Sequence, residues 1–213
     1  FPQKTWMNRE NGLRYDLAKM LADMNPKFLR FPGGCIVENG AINNIYRWKN
    51  TIGDVAARET QTNFWGYYQS FGLGYDEYFR FAEDIGAEPV PHIFSGILSC
   101  HSNPPTVPMN ELQPYIDDAL HLIEYANGDP ETTEWGALRA ANGHPEPYNL
   151  KYLGVGNETW GSNYFPRYKA FYDAIKAEYP EIKLILSAGA FPEDANFRLT
   201  YNWLGEPGDG NEA

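Results

Sequence analysis

Cysteine is scarce in this sequence, with two among 213 residues, Cys35 and Cys100. Two are too few for the disulfide framework that staples small secreted domains and too few for a thiolate metal site. They leave the redox compartment undecided. Basic charge is also short. Seventeen Lys and Arg face 28 Asp and Glu, for a formal net charge of −11, and no basic cluster exists to neutralise phosphates along a nucleic acid. An acidic surface repels polyanions and suits neutral substrates. No apolar run approaches the roughly 18 residues that a membrane helix needs. Neither nucleic acid nor a membrane is an expected partner. No Gly-x-Gly-x-x-Gly loop supports a nucleotide site. The four histidines, His92, His101, His121 and His144, form no metal cage by spacing: His121 and Glu124 share a helix face, but no second such pair completes the set. No metal and no organic cofactor is expected. The chain opens on Phe-Pro-Gln, without an initiator Met or an apolar leader, and closes on Gly-Asp-Gly-Asn-Glu-Ala without a helix stop. Both ends read as cuts within a longer sequence.

What is present is an ordinary globular composition, 43% hydrophobic and 15% aromatic, arranged in a repeating grammar. Over residues 13–24, Leu13, Leu17, Met20, Leu21 and Met24 fall at helical spacing, and Asn25-Pro26 ends the helix because a residue before proline avoids the α region. Phe28-Leu29-Arg30-Phe31 then reads as a buried strand stopped by Pro32-Gly33-Gly34. The pattern returns with a helix over 75–85, a stop at Gly86 and a strand over 89–94. A longer amphipathic helix over 109–126 turns Leu112, Ile116, Leu120, Ile123 and Tyr125 inward and Asp117, Asp118 and Glu124 toward water. A polar stretch to Asn149 leads to a strand over 150–156. A helix over 164–179 and a strand over 183–188 complete four β units separated by helices.

Such alternation implies parallel βαβ units, in either a doubly wound sheet or a (β/α)8 barrel. The loops after Phe31, Phe94, Gly156 and Ala188 are long and rich in Gly, Asn and aromatics, whereas those entering the strands are mostly short. Function at the carboxyl ends of strands fits both folds, but the missing phosphate loop favours the barrel. A whole barrel takes about 250 residues, so the expectation is an α/β fold forming part of a (β/α)8 TIM barrel.

The sharpest chemical signal is Gly156-Asn157-Glu158-Thr159-Trp160 at the end of an apolar strand. A carboxyl in a cleft mouth, buried beside Trp160, would have the raised pKa a general acid needs. The plainer reading makes Asn157 a helix N-cap and Glu158 a solvated first-turn acid. Asn157-Glu158-Thr159 also matches a glycosylation sequon, though a strand end inside a cleft is a poor acceptor. Arg30, a guanidinium on an apolar strand, either orients a catalytic carboxylate or sits in a structural ion pair. The aromatic run over 63–72 forms either a local core or a sugar platform. Cys35 and Cys100 follow strand ends but lack the neighbouring histidine of a thiol nucleophile; a bond between them is geometrically conceivable because the strands are neighbours.

Four blocks then occur in order: Phe28-Leu29-Arg30-Phe31-Pro32-Gly33-Gly34-Cys35, Tyr46-Arg47-Trp48-Lys49-Asn50 with Ile52-Gly53, Gly74-Tyr75-Asp76-Glu77-Tyr78, and Gly156-Asn157-Glu158. Together they resemble the α-L-arabinofuranosidases of glycoside hydrolase family 51. The resemblance includes Glu134-Trp135-Gly136 and His144-Pro145-Glu146-Pro147 and fades only over 205–213. Gly-Asn-Glu alone marks a wider clan of barrels; the Arg-Phe-Pro-Gly-Gly block narrows it to the family.

The resemblance implies a retaining glycosidase that removes terminal α-L-arabinofuranosyl groups from arabinose-containing polysaccharides or oligosaccharides. Glu158, at the end of barrel strand 4, is then the general acid/base. Asn157 bonds a furanose hydroxyl beside the anomeric carbon, Arg30 holds the nucleophile carboxylate, and Cys35 and Trp160 border the sugar. Many members carry Asn at the position of Cys35, while another branch has Cys, so one substrate hydrogen bond differs. The nucleophile is a glutamate at the end of strand 7, beyond the roughly strands 2 to 5 legible here. Glu38, Glu193 and Asp194 lie near strand ends, but no motif assigns them that role. The first strand, strands 6 to 8 and a C-terminal β-sandwich are expected in a longer parent, residues 1–213 being part of its catalytic barrel. Members often form oligomers, and a secreted or periplasmic location is favoured over a cytoplasmic one. The competing readings are a clan relative acting on β-glucan or xylan and an inactive carbohydrate-binding homologue.

Overall fold

A computed structural model describes residues 4–10, 12–100 and 103–205. Its centre is a four-stranded parallel sheet of β1 (Phe28–Phe31), β4 (Glu88–Ile93), β5 (Tyr152–Val155) and β6 (Lys183–Ile185), paired in that order. β2 (Gln61–Thr62) and β3 (Tyr68–Gln69) form a small antiparallel hairpin inside the loop after β1. The sheet grows in one direction with the chain and has no switch point. Right-handed crossovers between strands added always on the same side put every connecting helix on one face, which is the arrangement of a barrel wall and not of a doubly wound sheet.

Side-chain alternation divides the two faces. Phe31, Ile93, Leu153 and Val155 point outward and are buried in the main core with Tyr75 and Phe79 of α2 (Tyr75–Asp84), Ile116, Leu122 and Ile123 of α3 (Gln113–Asn127) and Phe171 and Ile175 of α5 (Phe165–Glu178). The alternate residues Phe28, Arg30, Val90, His92, Tyr152 and Ile185 line the concave inner face, around an open apolar hollow of about 530 Å³. Pro89 and Pro91 would interrupt a central ladder, yet they fit in β4 because β5 joins only at His92↔Gly154, after both prolines.

Most predicted elements form within a residue or two, but the strand expected over 183–188 stops at Ile185, and other differences stand out. The helix expected over 109–126 begins with a 3₁₀ turn at Met109–Glu111 and becomes α-helical only at α3, where Pro114 occupies the first turn. Asp118, expected on the wet side of that helix, is buried and receives Arg47 at 2.6 Å and Lys49 at 2.9 Å. The polar stretch before Asn149 contains α4 (Glu134–Ala141), capped by Thr133, and α6 (Ala195–Leu204) follows the last strand, capped by Asp194. α1 (Tyr15–Asp23) forms as its spacing predicts, but Leu17, Met20, Leu21 and Met24 are exposed and only Ala18 is buried.

Candidate active site

Three strands bring the candidate residues to one mouth of the sheet. Arg30 points into the concave face from β1, where its Nη2 donates to Asn157 Oδ1 at 2.8 Å and its Nε lies 3.3 Å from His92 Nε2. A guanidinium can only donate, so His92 Nε2 must be a lone pair and the imidazole proton sits on Nδ1, 3.3 Å from the carbonyl of Val90. Burial, together with the adjacent Arg30 charge, pushes His92 down to about 4 and keeps it neutral. The ring has room only because residue 154 is glycine: a Cβ there would stand 2.3 Å from it. Arg30 is thus exposed toward the cleft and held by neutral partners. Burial lowers its pKa and the charge of Glu158 raises it. Among the described residues it has no structural ion pair, which leaves donors free for a carboxylate.

Behind Val155 the chain turns at Gly156 (φ 82°), whose amide donates to the carbonyl of Ile93 at 2.7 Å. A Cβ at Gly156 would lie 2.2 Å from Thr159 Oγ1. Asn157 is buried, Glu158 adopts a left-handed backbone (φ 48°) and is exposed, and Trp160 is half-buried. The next helix starts only at Phe165, so Asn157 is not an N-cap. The burial expected for Glu158 beside Trp160 is not seen, because the left-handed turn carries its side chain out of the wall. Its Oε2 lies 3.6 Å from the Cys100 sulfur.

The fully buried carboxyl of this mouth is Glu38, which caps the C-terminus of the 3₁₀ turn Cys35–Val37. Its Oε1 is 2.5 Å from Ser99 Oγ and its Oε2 accepts the Cys100 amide at 3.2 Å. Burial pushes it up to about 7 against the lowering effect of those hydrogen bonds. Cys35 and Cys100 form a disulfide that ties the β1 loop to the β4 loop. Any contact Cys35 makes with a sugar is therefore through a sulfur without a proton. The two sulfurs and the Glu158 carboxylate lie within 4.8 Å of one another, but bonded sulfurs are not the thiolates that metals take.

The other candidates divide. Asn63 and Phe71 are buried, while Trp65, Tyr67 and Tyr68 stand out at the hairpin, Trp65 and Tyr67 stacked with centroids 6.4 Å apart. Asp194 caps α6 through the Phe197 amide at 2.6 Å. His121, on α3, meets Lys49 and stacks on Trp135, and His144, in the segment after α4, stacks on Tyr148; neither joins this mouth. His101 lies outside the described residues. Sequence reasoning missed the roles of His92, Ser99 and Glu38. A glutamate three residues after the Gly-Gly-Cys turn was the available sign for Glu38. Nothing local distinguished Ser99.

The profile of the alpha-L-arabinofuranosidase 1 domain matches residues 20–206. The chain belongs to this family. An extracellular exo-alpha-L-arabinofuranosidase of Streptomyces chartreusis is 45% identical over 95% of the chain and 26% of its own length. Alpha-L-arabinofuranosidase A of Aspergillus kawachii is 45% identical over 89% of the chain and 31% of its own length. An arabinose-bound GH51 α-L-arabinofuranosidase superposes with a TM-score of 0.81 at 38% identity, over 89% of the chain and 30% of that structure. The Thermotoga maritima α-L-arabinofuranosidase in complex with arabinose gives 0.66 at 31% identity, over 84% and 34%. This family 51 chain is a section of a TIM barrel, and it spans about a quarter to a third of the length of these relatives.

Proposed function

We propose that the full-length protein is a retaining α-L-arabinofuranosidase acting on arabinose-containing carbohydrates, with Glu158 as general acid/base. The observation that carries this is the contact between Arg30 and Asn157 across three neighbouring strands, beside an exposed Glu158. It sets a cation, an amide and a carboxyl at one cleft mouth.

Retention takes two carboxyl groups about 5 to 5.5 Å apart, one attacking the anomeric carbon and one protonating the departing oxygen. Glu158 is free to reach a glycosidic oxygen. Asn157 accepts Arg30 on its Oδ1 and places one amide N–H 4.0 Å from the Cys100 sulfur, which leaves its other N–H for a furanose hydroxyl. Arg30 retains donors for the attacking carboxylate, which residues outside this chain would supply. Two carboxylates suffice for the chemistry, without a cofactor. The Cys35–Cys100 bond suits an oxidising compartment. The test is hydrolysis of an aryl α-L-arabinofuranoside. The full-length protein is expected to release arabinose with retained anomeric configuration, whereas the isolated 213 residues hydrolyse nothing. Turnover by the isolated segment, or an inverted product, overturns the reading.

A further inference from the structure

The loop that carries Glu158 is held from behind by a chain of short contacts, and those contacts constrain where one proton must be. Ser99 Oγ stands 2.5 Å from Glu38 Oε1 and 2.5 Å from the carbonyl oxygen of Asn157. A serine hydroxyl has one proton, and the Asn157 carbonyl can only accept. If Glu38 were ionised, it too could only accept, and one of the two contacts would press lone pair against lone pair. Both become hydrogen bonds when Glu38 carries the proton, donating to Ser99 Oγ, which in turn donates to the Asn157 carbonyl. The other Glu38 oxygen accepts the Cys100 amide, so a neutral carboxyl satisfies the whole cluster.

We propose that protonated Glu38 is a positioning residue that fixes the Asn157–Glu158 peptide through Ser99 and so aims the general acid. The peptide needs such a hold. Glu158 sits in the left-handed region at φ 48°, a conformation costly for any residue with a Cβ, and its side chain is exposed without burial to anchor it. The cluster spans the loops after β1, β4 and β5, and the disulfide closes its far side by joining Cys35, three residues before Glu38, to Cys100, next to Ser99. Among the described residues, the charged group acting on Glu38 is Glu158, from the β5 loop, which further disfavours ionisation. Cys35 and Cys100 do not titrate while bonded. Ionisation of Glu38 would turn the Ser99 proton back toward the carboxylate and release the carbonyl of the acid/base peptide.

This role rests on the arabinofuranosidase reading, but its test does not depend on activity alone. In the full-length protein, infrared difference spectra between pH 5.5 and pH 9 should show a buried protonated-carboxyl band that is lost as pH rises and is absent from Glu38→Gln. Kinetically, Glu38→Gln keeps a donor for Ser99 and an acceptor for Cys100, so kcat on an aryl arabinofuranoside should stay within about threefold of wild type. Ser99→Ala, which leaves Glu38 in place, should lower kcat by about tenfold or more with little change in KM, the sign of a defect felt in the transition state. An unchanged carboxyl band in Glu38→Gln, equal loss of kcat in Glu38→Gln and Ser99→Ala, or full activity in Ser99→Ala would each overturn the proposal. An inactive wild type with the band intact would instead refute the enzyme reading and leave the proton assignment standing.

Discussion

Arg30, His92 and Gly154 act as one unit because each defines what the next can be. The glycine leaves space for the ring, the neutral ring accepts from Arg30, and Arg30 fixes the Asn157 amide. Gly154→Ala should therefore push the imidazole off its place and cost about 1 to 3 kcal/mol of stability, with a lower kcat, checked by thermal unfolding and steady-state kinetics of the full-length protein. The two perturbed acids of the mouth make opposite contributions to the pH dependence of stability. Glu38 is raised from 4.5 to about 7, so between those values the native state binds more protons than the unfolded chain and stability falls as pH rises. His92 is lowered from 6.5 to about 4. In that window the unfolded chain binds more protons, so stability rises with pH and is lost as pH falls. The slopes offset one another over roughly pH 4.5 to 6.5. Glu38→Gln should expose a rising slope in this range and His92→Gln a falling one, both measurable as denaturation midpoints against pH. A flat profile in both variants would contradict the assignments.

Elements, more than residues, were legible in the sequence. Helical spacing over 75–85 and 164–179 and the apolar runs ending at Phe31, Phe94 and Gly156 translated into α2, α5, β1, β4 and β5 because their periods are imposed by burial on one face, whereas the spacing over 13–24 gave α1 although most of its apolar residues are exposed. α4, eight residues long, and α6, next to the end of the sequence, escaped because each is announced mainly by a cap, Thr133 or Asp194. The motif singled out Glu158, but not its environment. Whether a carboxyl at a strand end is buried depends on the backbone turn it occupies, and the left-handed Glu158 exchanged places, in effect, with Glu38. The disulfide could not be deduced from two cysteines 65 residues apart; it follows from β1 and β4 being paired neighbours. Closing a loop of that length stabilises the fold by about 4 kcal/mol on the chain-entropy account. Reduction, or Cys35→Ala with Cys100→Ala, should lower the melting temperature of the full-length protein by several degrees and loosen the Glu38 and Ser99 loops, visible as faster hydrogen exchange over residues 35–39 and 97–100.

At the scale of the molecule, the wall built here has a finished outer surface and an unfinished inner one. Its helices bury Phe31, Leu153, Phe171 and Ile175, whereas Phe28 and Ile185 on the concave side and Met20 and Met24 at α1 remain exposed. The neighbouring strands β1, β4 and β5 bring Arg30, His92, Asn157 and Glu158 to one mouth, and the proposed mechanism takes its attacking carboxylate from outside these residues. In the proposed mechanism Glu158 delivers the proton to the departing oxygen. This step is tested most directly by comparing Glu158→Ala with wild type, in the full-length protein, on arabinofuranosides whose leaving groups differ in basicity. A lost general acid should cost about 10² to 10⁴ in rate where the leaving group is a sugar or an alkoxide and far less where it is a dinitrophenolate that departs without a proton. An equal loss across the series would contradict the account.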